Sequence, residues 1–403
     1  MAARRGSPFW VSGVLPKIEF DAGRPRRAAP TVALIGLMKV KRVDLHRVRV
    51  PFVEPFRISN GEVAEKDAIL IELTSDEGIV GWGEASPMSG SFYSDDTPDG
   101  CWTTLKDEIV PALFAIRQLD PTRFYELPGD KFARAGIEGA LWDAYAHTRQ
   151  TALCDLFGIE RRAVPSGVAI GIFNTIDELI DRVHRYVNEG YQRVKIKIQP
   201  RWDVEPVNAV RAHFPQLPLM VDANAAYTLT DLPIFRELDR FNLMMIEQPL
   251  AANAIAEAGE LQAQLQTPLC ADESADSLTT VDQLIANRAA RIINIKVQRV
   301  GGLSEAISML QAARAADLQS WVGTMPELGI ASAQALHLAM HPDFSFPTDV
   351  EASSRWYTDD VIEPAITIDR NGFIDVPHGP GTGFSVNREK VKRYEIAAES
   401  FSL

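Results

Sequence analysis

The chain has 403 residues, 46% hydrophobic and 24% charged, enough for an α/β barrel of about 250 residues with a smaller companion domain. A net charge of −13 argues against nucleic acid and anionic membrane as partners and suits a cytoplasmic enzyme acting on a small molecule. Cys101, Cys154 and Cys270 lack metal or redox spacing and fit a reducing compartment. No apolar run approaches the roughly 18 residues of a membrane helix.

In residues 1–37, Arg4, Arg5, Lys17, Arg24, Arg26 and Arg27 outnumber Glu19 and Asp21, and prolines interrupt any helix. The segment lacks an apolar core followed by a small-residue cleavage site, so it reads as an irregular extension of a fold that begins near Met38. From there "MKVKRVDLHRVRVPF" alternates as a half-buried strand, and "DAILIELTSDEGIVGWGEAS" reads as two strands around a turn at 75–78. The stretch from about Gly100 to Leu156 is helical in pattern, with small residues in "ARAGIEGALWDAYAH" and Trp142 as core. Residues 38–160 are therefore expected to form an α+β capping domain.

After Pro165 the pattern repeats. Short apolar segments at 167–172, 193–198, 218–224, 243–249, 268–274, 291–297, 319–325 and 344–350 alternate with helical ones. In "NTIDELIDRVHRYVNEG", Asn174 or Thr175 caps a stripe of Ile176, Leu179, Ile180, Val183 and Val187 that Gly190 ends. Eight strands alternating with helices predict a closed (β/α)₈ barrel of the TIM type over 161–354. Residues 355–403 are expected to return and pack on the cap.

Functional side chains in such barrels lie at the C-terminal strand ends. Lys195 and Lys197 alternate into one strand face. Lys197, Asp222, Glu247, Asp272 and Lys296 then follow at steps of 25, 25, 25 and 24 residues, one per βα unit. Three carboxylates and three ammonium groups in one barrel mouth are costly to bury without compensation. Carboxylate oxygens from Asp222, Glu247 and Asp272 suit a hard divalent ion, Mg²⁺ above all, with Mn²⁺ as a substitute. Beside such a cation Lys197 can serve as base. Structural ion pairs would account for any one of these residues, but not for five in phase on consecutive strands. Asn224 and Glu273 flank the ligands as supports. His184 and His213, in helical segments, read as surface or capping residues.

The constellation resembles the enolase superfamily, in the subgroup with muconate lactonizing enzymes, and within it the group shared by o-succinylbenzoate synthases and N-succinylamino acid racemases. "PFRISNG" (55–61), "GWGEASPMSGSFYS" (81–94), "VKIKIQPRWDVEPV" (194–207), "VDANAAYTL" (221–229), "IEQPL" (246–250), "ADES" (271–274), "NIKVQRVGG" (294–302) and "PTDVEASSRWYTDDVIEP" (347–364) carry the likeness. It implies Lys197 as base with Lys195 as its partner, Lys296 on the opposite face of the substrate, and the three carboxylates on Mg²⁺. It also implies a lid from Phe56, Arg57 and Ser59 with Tyr93. Two departures bear on the pocket: Lys296-Val297-Gln298-Arg299 where relatives often have Lys-Pro-Gly-Arg, and a seventh strand ending "GTMPELG" with Met325 and Glu327 in register.

The resemblance implies Mg²⁺-dependent dehydration of 2-succinyl-6-hydroxy-2,4-cyclohexadiene-1-carboxylate to 2-succinylbenzoate, a step of menaquinone biosynthesis. The alternative is racemisation of N-succinylamino acids by Lys197 and Lys296 from opposite faces, and a homo-oligomer is compatible with either. Dipeptide epimerisation fits less well, because Asp349 and Glu351 mimic the acidic pair of those relatives only superficially.

Overall fold

The computed structural model describes residues 38–58, 61–89, 96–116 and 129–403. The expectations for residues 1–37, Ser59 and Tyr93 lie outside them. Met38–Leu403 forms one compact unit. Among the described residues no helix is long and apolar enough to cross a membrane.

The cap is built on β1 (Val40–Ile58), which pairs antiparallel with β2 (Gly61–Ser75), which in turn pairs with β3 (Val80–Ala85). Val48 and Val50 are buried on β1 while Arg49 and Pro51 are exposed, as the alternation requires. The turn into β3 uses Gly78 at φ +80°. The helix α1 (Lys131–Arg149) crosses the sheet, its first turn capped by the Asp130 carboxylate. Its small residues now have a reason: a Cβ at Gly83 of β3 would lie 2.0 Å from the Gly136 carbonyl oxygen.

Seven parallel strands follow: β4 (Val168–Ile170), β5 (Val194–Lys197), β6 (Leu219–Asp222), β7 (Ile246–Glu247), β8 (Leu269–Ala271), β9 (Ile292–Ile295) and β10 (Gln319–Val322). They lie side by side in chain order. The helix α2 (Ile176–Glu189) starts at a Thr175–Glu178 capping box and stops at Gly190, φ +103°; Tyr186 joins Leu179 and Val183 as its buried face.

The expected eighth strand differs. Residues 344–350 bridge β10 at Ser320↔Phe344 and the start of β4 at Ser166↔Thr348, but form no ladder. Pro347, in its middle, has no N–H to give. Its neighbours still close the barrel: Ser345 N donates to Ser320 O at 2.9 Å and Thr348 N to Pro165 O at 2.9 Å. Beyond it, β11 (Glu395–Ser402) pairs antiparallel with the free edge of β1, so the tail does rejoin the cap sheet.

Cap and barrel share buried surface around α3 (Val297–Val300), which follows β9, and α4 (Gly329–Ala339), which follows β10. Every residue of α4 is buried. Its N-terminal N–H groups, at Leu328 and Ala331, are met by the two oxygens of Glu84 from β3, at 2.8 and 2.9 Å. A carboxylate is favoured there by the partial positive charge of the helix start.

Candidate active site at the barrel mouth

Strand alternation sorts the barrel interior into layers. Met220, Met245, Cys270, Ile292 and Trp321 form a fully buried apolar floor. Lys195 pairs with Met220 in register and Lys197 with Asp222, so Lys195 sits at floor level and Lys197 one step above. The Lys195 ammonium lies 5.0 Å from the centre of the Trp321 ring. It donates to Asp349 Oδ2 at 2.5 Å and Glu247 Oε2 at 3.1 Å. Burial opposes its charge, but Asp349, Glu247 and Asp222 outweigh burial and hold it charged, well above the ordinary lysine range.

Above the floor, Lys197 Nζ donates to Asp222 Oδ2 at 2.6 Å and to Asn224 Oδ1 at 2.8 Å. Lys296 Nζ donates to Asp272 Oδ2 at 2.9 Å. Asn294 Nδ2 donates to Glu247 Oε1 at 2.6 Å. Asn224 links onward, its Nδ2 donating to Glu273 Oε1 at 3.1 Å.

The three carboxylates are at most 1% exposed. Burial, and then repulsion from Asp222, push Glu247 up to about 8 despite Lys195. Asp272 is held far below the carboxylate range because Arg299 and Lys296 outweigh its burial. Among the described residues no three acidic, histidine or cysteine side chains close on one point as coordination requires; each carboxylate is turned to a cationic or amide neighbour instead. The donor set nevertheless suits a hard divalent ion: oxygen only, dry, crowded, and beside a buried Glu273 Oε2 that has no hydrogen-bond partner.

A pocket of about 440 Å³, counted out to its open mouth, lies over this layer. Lys195, Lys197, Asn224, Lys296, Asp349 and Glu351 belong to its polar lining, and Phe56, Ile58, Met88, Met325 and Trp356 are its large apolar one. Six described sequence-predicted residues are not among its lining: the carboxylates Asp222, Glu247 and Asp272, which lie beneath it, and Arg57, Arg299 and Glu327. Arg57 is exposed, its guanidinium on Asn174 Oδ1 at 3.1 Å, because its neighbour Phe56 takes the inward position of the strand. Arg299 is buried behind Asp272, donating to it at 2.5 Å. Glu327 lines a small adjoining chamber, with its carboxylate on the Met325 N–H at 3.0 Å. His184 and His213 are exposed or nearly so, and Trp142 is buried.

Sequence reasoning missed Asn294 and passed over Asp349 and Glu351 as a superficial mimic. Asn294 shares the inward parity of Lys296, two residues on, and that parity was its available signal. Asp349 lies between Lys195 and Arg193, at 2.5 and 2.7 Å. Glu351 accepts from the Ala169 N–H at 2.7 Å and faces Arg355 at 3.5 Å. Asp349 is thus matched by two cations, whereas burial pushes Glu351 up to about 7 despite Arg355, and its Oε2 has no hydrogen-bond partner.

Residues 41–158 match the model of the mandelate racemase / muconate lactonizing enzyme N-terminal domain, and residues 178–391 match the enolase C-terminal domain-like model. The chain is 38% identical to o-succinylbenzoate synthase of Bacillus subtilis, covering 91% of this chain and 99% of that one. It is 39% identical to N-succinylamino acid racemase of an Amycolatopsis species, covering 86% and 95%. An enolase superfamily member of known structure from Listeria innocua has a TM-score of 0.87 at 34% identity, covering 91% of this chain and 99% of that one.

Proposed function

Because this chain belongs to the enolase superfamily, in the group of mandelate racemase and muconate lactonizing enzyme, we propose that it is an o-succinylbenzoate synthase. It would dehydrate 2-succinyl-6-hydroxy-2,4-cyclohexadiene-1-carboxylate to 2-succinylbenzoate, in the cytoplasm, as a step of menaquinone biosynthesis. One observation carries the reading: Lys197 and Lys296 both line one pocket, with Asp222, Glu247 and Asp272 on the strands between them. The synthase relatives supply the choice of reaction.

In this reading Lys197 removes the proton α to the ring carboxylate, held in place by Asn224. Lys296 sets a positive charge against the ene-diolate from the other side. The C–O bond to the ring hydroxyl then breaks as the ring becomes aromatic, and protonated Lys197 returns its proton so that water leaves. Asp222, Glu247 and Asp272 would hold Mg²⁺, or Mn²⁺ in its place, which when bound supplies Lewis-acid stabilisation of the carboxylate. Lys195 keeps Glu247 and Asp349 in position from below. Phe56, Ile58, Met88, Met325 and Trp356 receive the apolar ring.

The second reading, racemisation of N-succinylamino acids, is favoured by the same pair of lysines and by the racemase relatives. The test supplies the purified protein and Mg²⁺ with the cyclohexadiene and, separately, with an N-succinylamino acid. Turnover of the first at a far higher kcat/KM supports the synthase; the reverse order assigns the racemase.

A further inference from the structure

The segment Ser86–Ser89 leaves β3 and brings Met88 to the pocket wall. Its polar groups are pinned almost without remainder. The fully buried Lys66 ammonium donates to the Ser86 and Pro87 carbonyl oxygens at 2.9 and 2.8 Å. The Ser86 hydroxyl donates to Glu84. Ser89 Oγ accepts from the Asp67 N–H at 3.0 Å and donates to the Glu65 carbonyl at 3.1 Å. All of these come from the cap.

The Ser86 N–H differs. It is buried just past the end of the β3 ladder, where an unmet donor is costly. It donates to Oε1 of Gln298 at 3.0 Å. Gln298 lies on α3, two residues after Lys296, and is 1% exposed. Its Nε2 has no hydrogen-bond partner, which is unfavourable in itself. An apolar side chain of similar volume would fill the space without that cost. The acceptor it offers Ser86 is what such a chain would lack.

We infer that Gln298 is a positioning residue that locks the cap segment Ser86–Met88 to the barrel helix following Lys296, so that Met88 stands as a fixed wall of the substrate pocket. This bond joins the cap to the helix that directly follows Lys296, so it holds Met88 in place relative to that lysine. The inference rests on the pocket being the substrate site proposed above.

The test compares Gln298→Met, which keeps volume and removes the acceptor, with Gln298→Glu, which keeps the acceptor. Hydrogen exchange at the Ser86 amide is followed with the whole chain, and KM and kcat are measured for the better substrate. Gln298→Met should speed exchange about tenfold or more and raise KM about three- to tenfold with kcat nearly unchanged, the scale of one lost buried hydrogen bond. Gln298→Glu should restore wild-type exchange. Unchanged Ser86 exchange in Gln298→Met, or a fall in kcat at constant KM, would overturn the inference; the latter would mean that Gln298 acts on Lys296. If Gln298→Met does not fold, Gln298→Gly takes the same readings. A wild-type protein that turns over neither substrate would sink the functional reading instead, and Ser86 exchange would still decide the latch.

Discussion

Lys195 of β5 and Asp349 of the irregular closing segment meet at 2.5 Å inside the barrel, reaching across the intervening β4. Arg193 reaches the other oxygen of the same carboxylate at 2.7 Å. A buried ion triad thus ties β5 to the closing segment, adding to the few backbone bonds that close the barrel there. Asp349→Asn should destabilise the protein by about 3–5 kcal/mol, because buried Arg193 loses its counter-charge and Lys195 one of its three carboxylate partners. A urea-unfolding midpoint within error of wild type would remove this role from Asp349.

Removing divalent metal should abolish turnover. Excess chelator is expected to stop the reaction, with Mg²⁺ restoring it fully and Mn²⁺ at least in part. Full activity in a preparation shown by elemental analysis to be metal-free would refute the assignment of Asp222, Glu247 and Asp272.

The two lysines are separated best in D₂O. Wild type should exchange the α-hydrogen of both enantiomers of an N-succinylamino acid. Lys197→Ala and Lys296→Ala should each lose racemisation, keeping at most exchange of the enantiomer that faces the surviving lysine. In the dehydration, Lys197→Ala should cost at least about 10²–10⁴-fold in kcat. Wild-type exchange of both enantiomers in both variants would mean that neither lysine is the base.

His337 should make the fold acid-sensitive. It is buried and neutral, its Nδ1 accepting from the Cys154 N–H at 3.1 Å and its Nε2 donating to the Thr382 carbonyl at 3.0 Å. Burial lowers its pKa to about 4. Between about 6.5 and 4 the unfolded chain takes up a proton that the folded chain refuses, so stability is full above that window and falls through it. The loss is about 3 kcal/mol in all for this group. His337→Gln cannot titrate, and its stability between pH 7.5 and 4.5 should fall less steeply; parallel curves would contradict the assignment.

Deleting residues 1–37 should leave a folded, active enzyme, since Met38–Leu403 makes one compact unit. Circular dichroism and kcat/KM of the truncated chain would check this, and an insoluble or inactive product would show that the extension belongs to the fold.

The barrel was legible because its chemistry repeats with its geometry. Lys197, Asp222, Glu247 and Asp272 recur at one βα unit, and register places Lys197 beside Asp222 and Asp222 beside Glu247. Side-chain direction off the strands was less legible. Arg299 and Glu327 were recognisable as residues near the mouth, yet both turn away from the pocket, because buried charges such as Asp272 and Lys66 govern where they point. The closing segment looked like a strand by hydropathy, and the proline within it overruled that pattern. Contacts between cap and barrel, such as Glu84 with α4 or Ser86 with Gln298, left no periodic trace. They depend on tertiary approach alone.

The pairing of β11 with β1 also bears on how the molecule is made. Asp44 lies opposite Ser400, so the first strand of the cap waits for more than 350 further residues to leave the ribosome before its edge is covered. Until then β1 presents an open row of backbone donors and acceptors that another nascent chain could pair with. The barrel's local βα contacts have no such delay. During synthesis the catalytic half can therefore organise first, with the cap sheet, and the pocket wall that depends on it, finished only once residues 395–402 are available to pair.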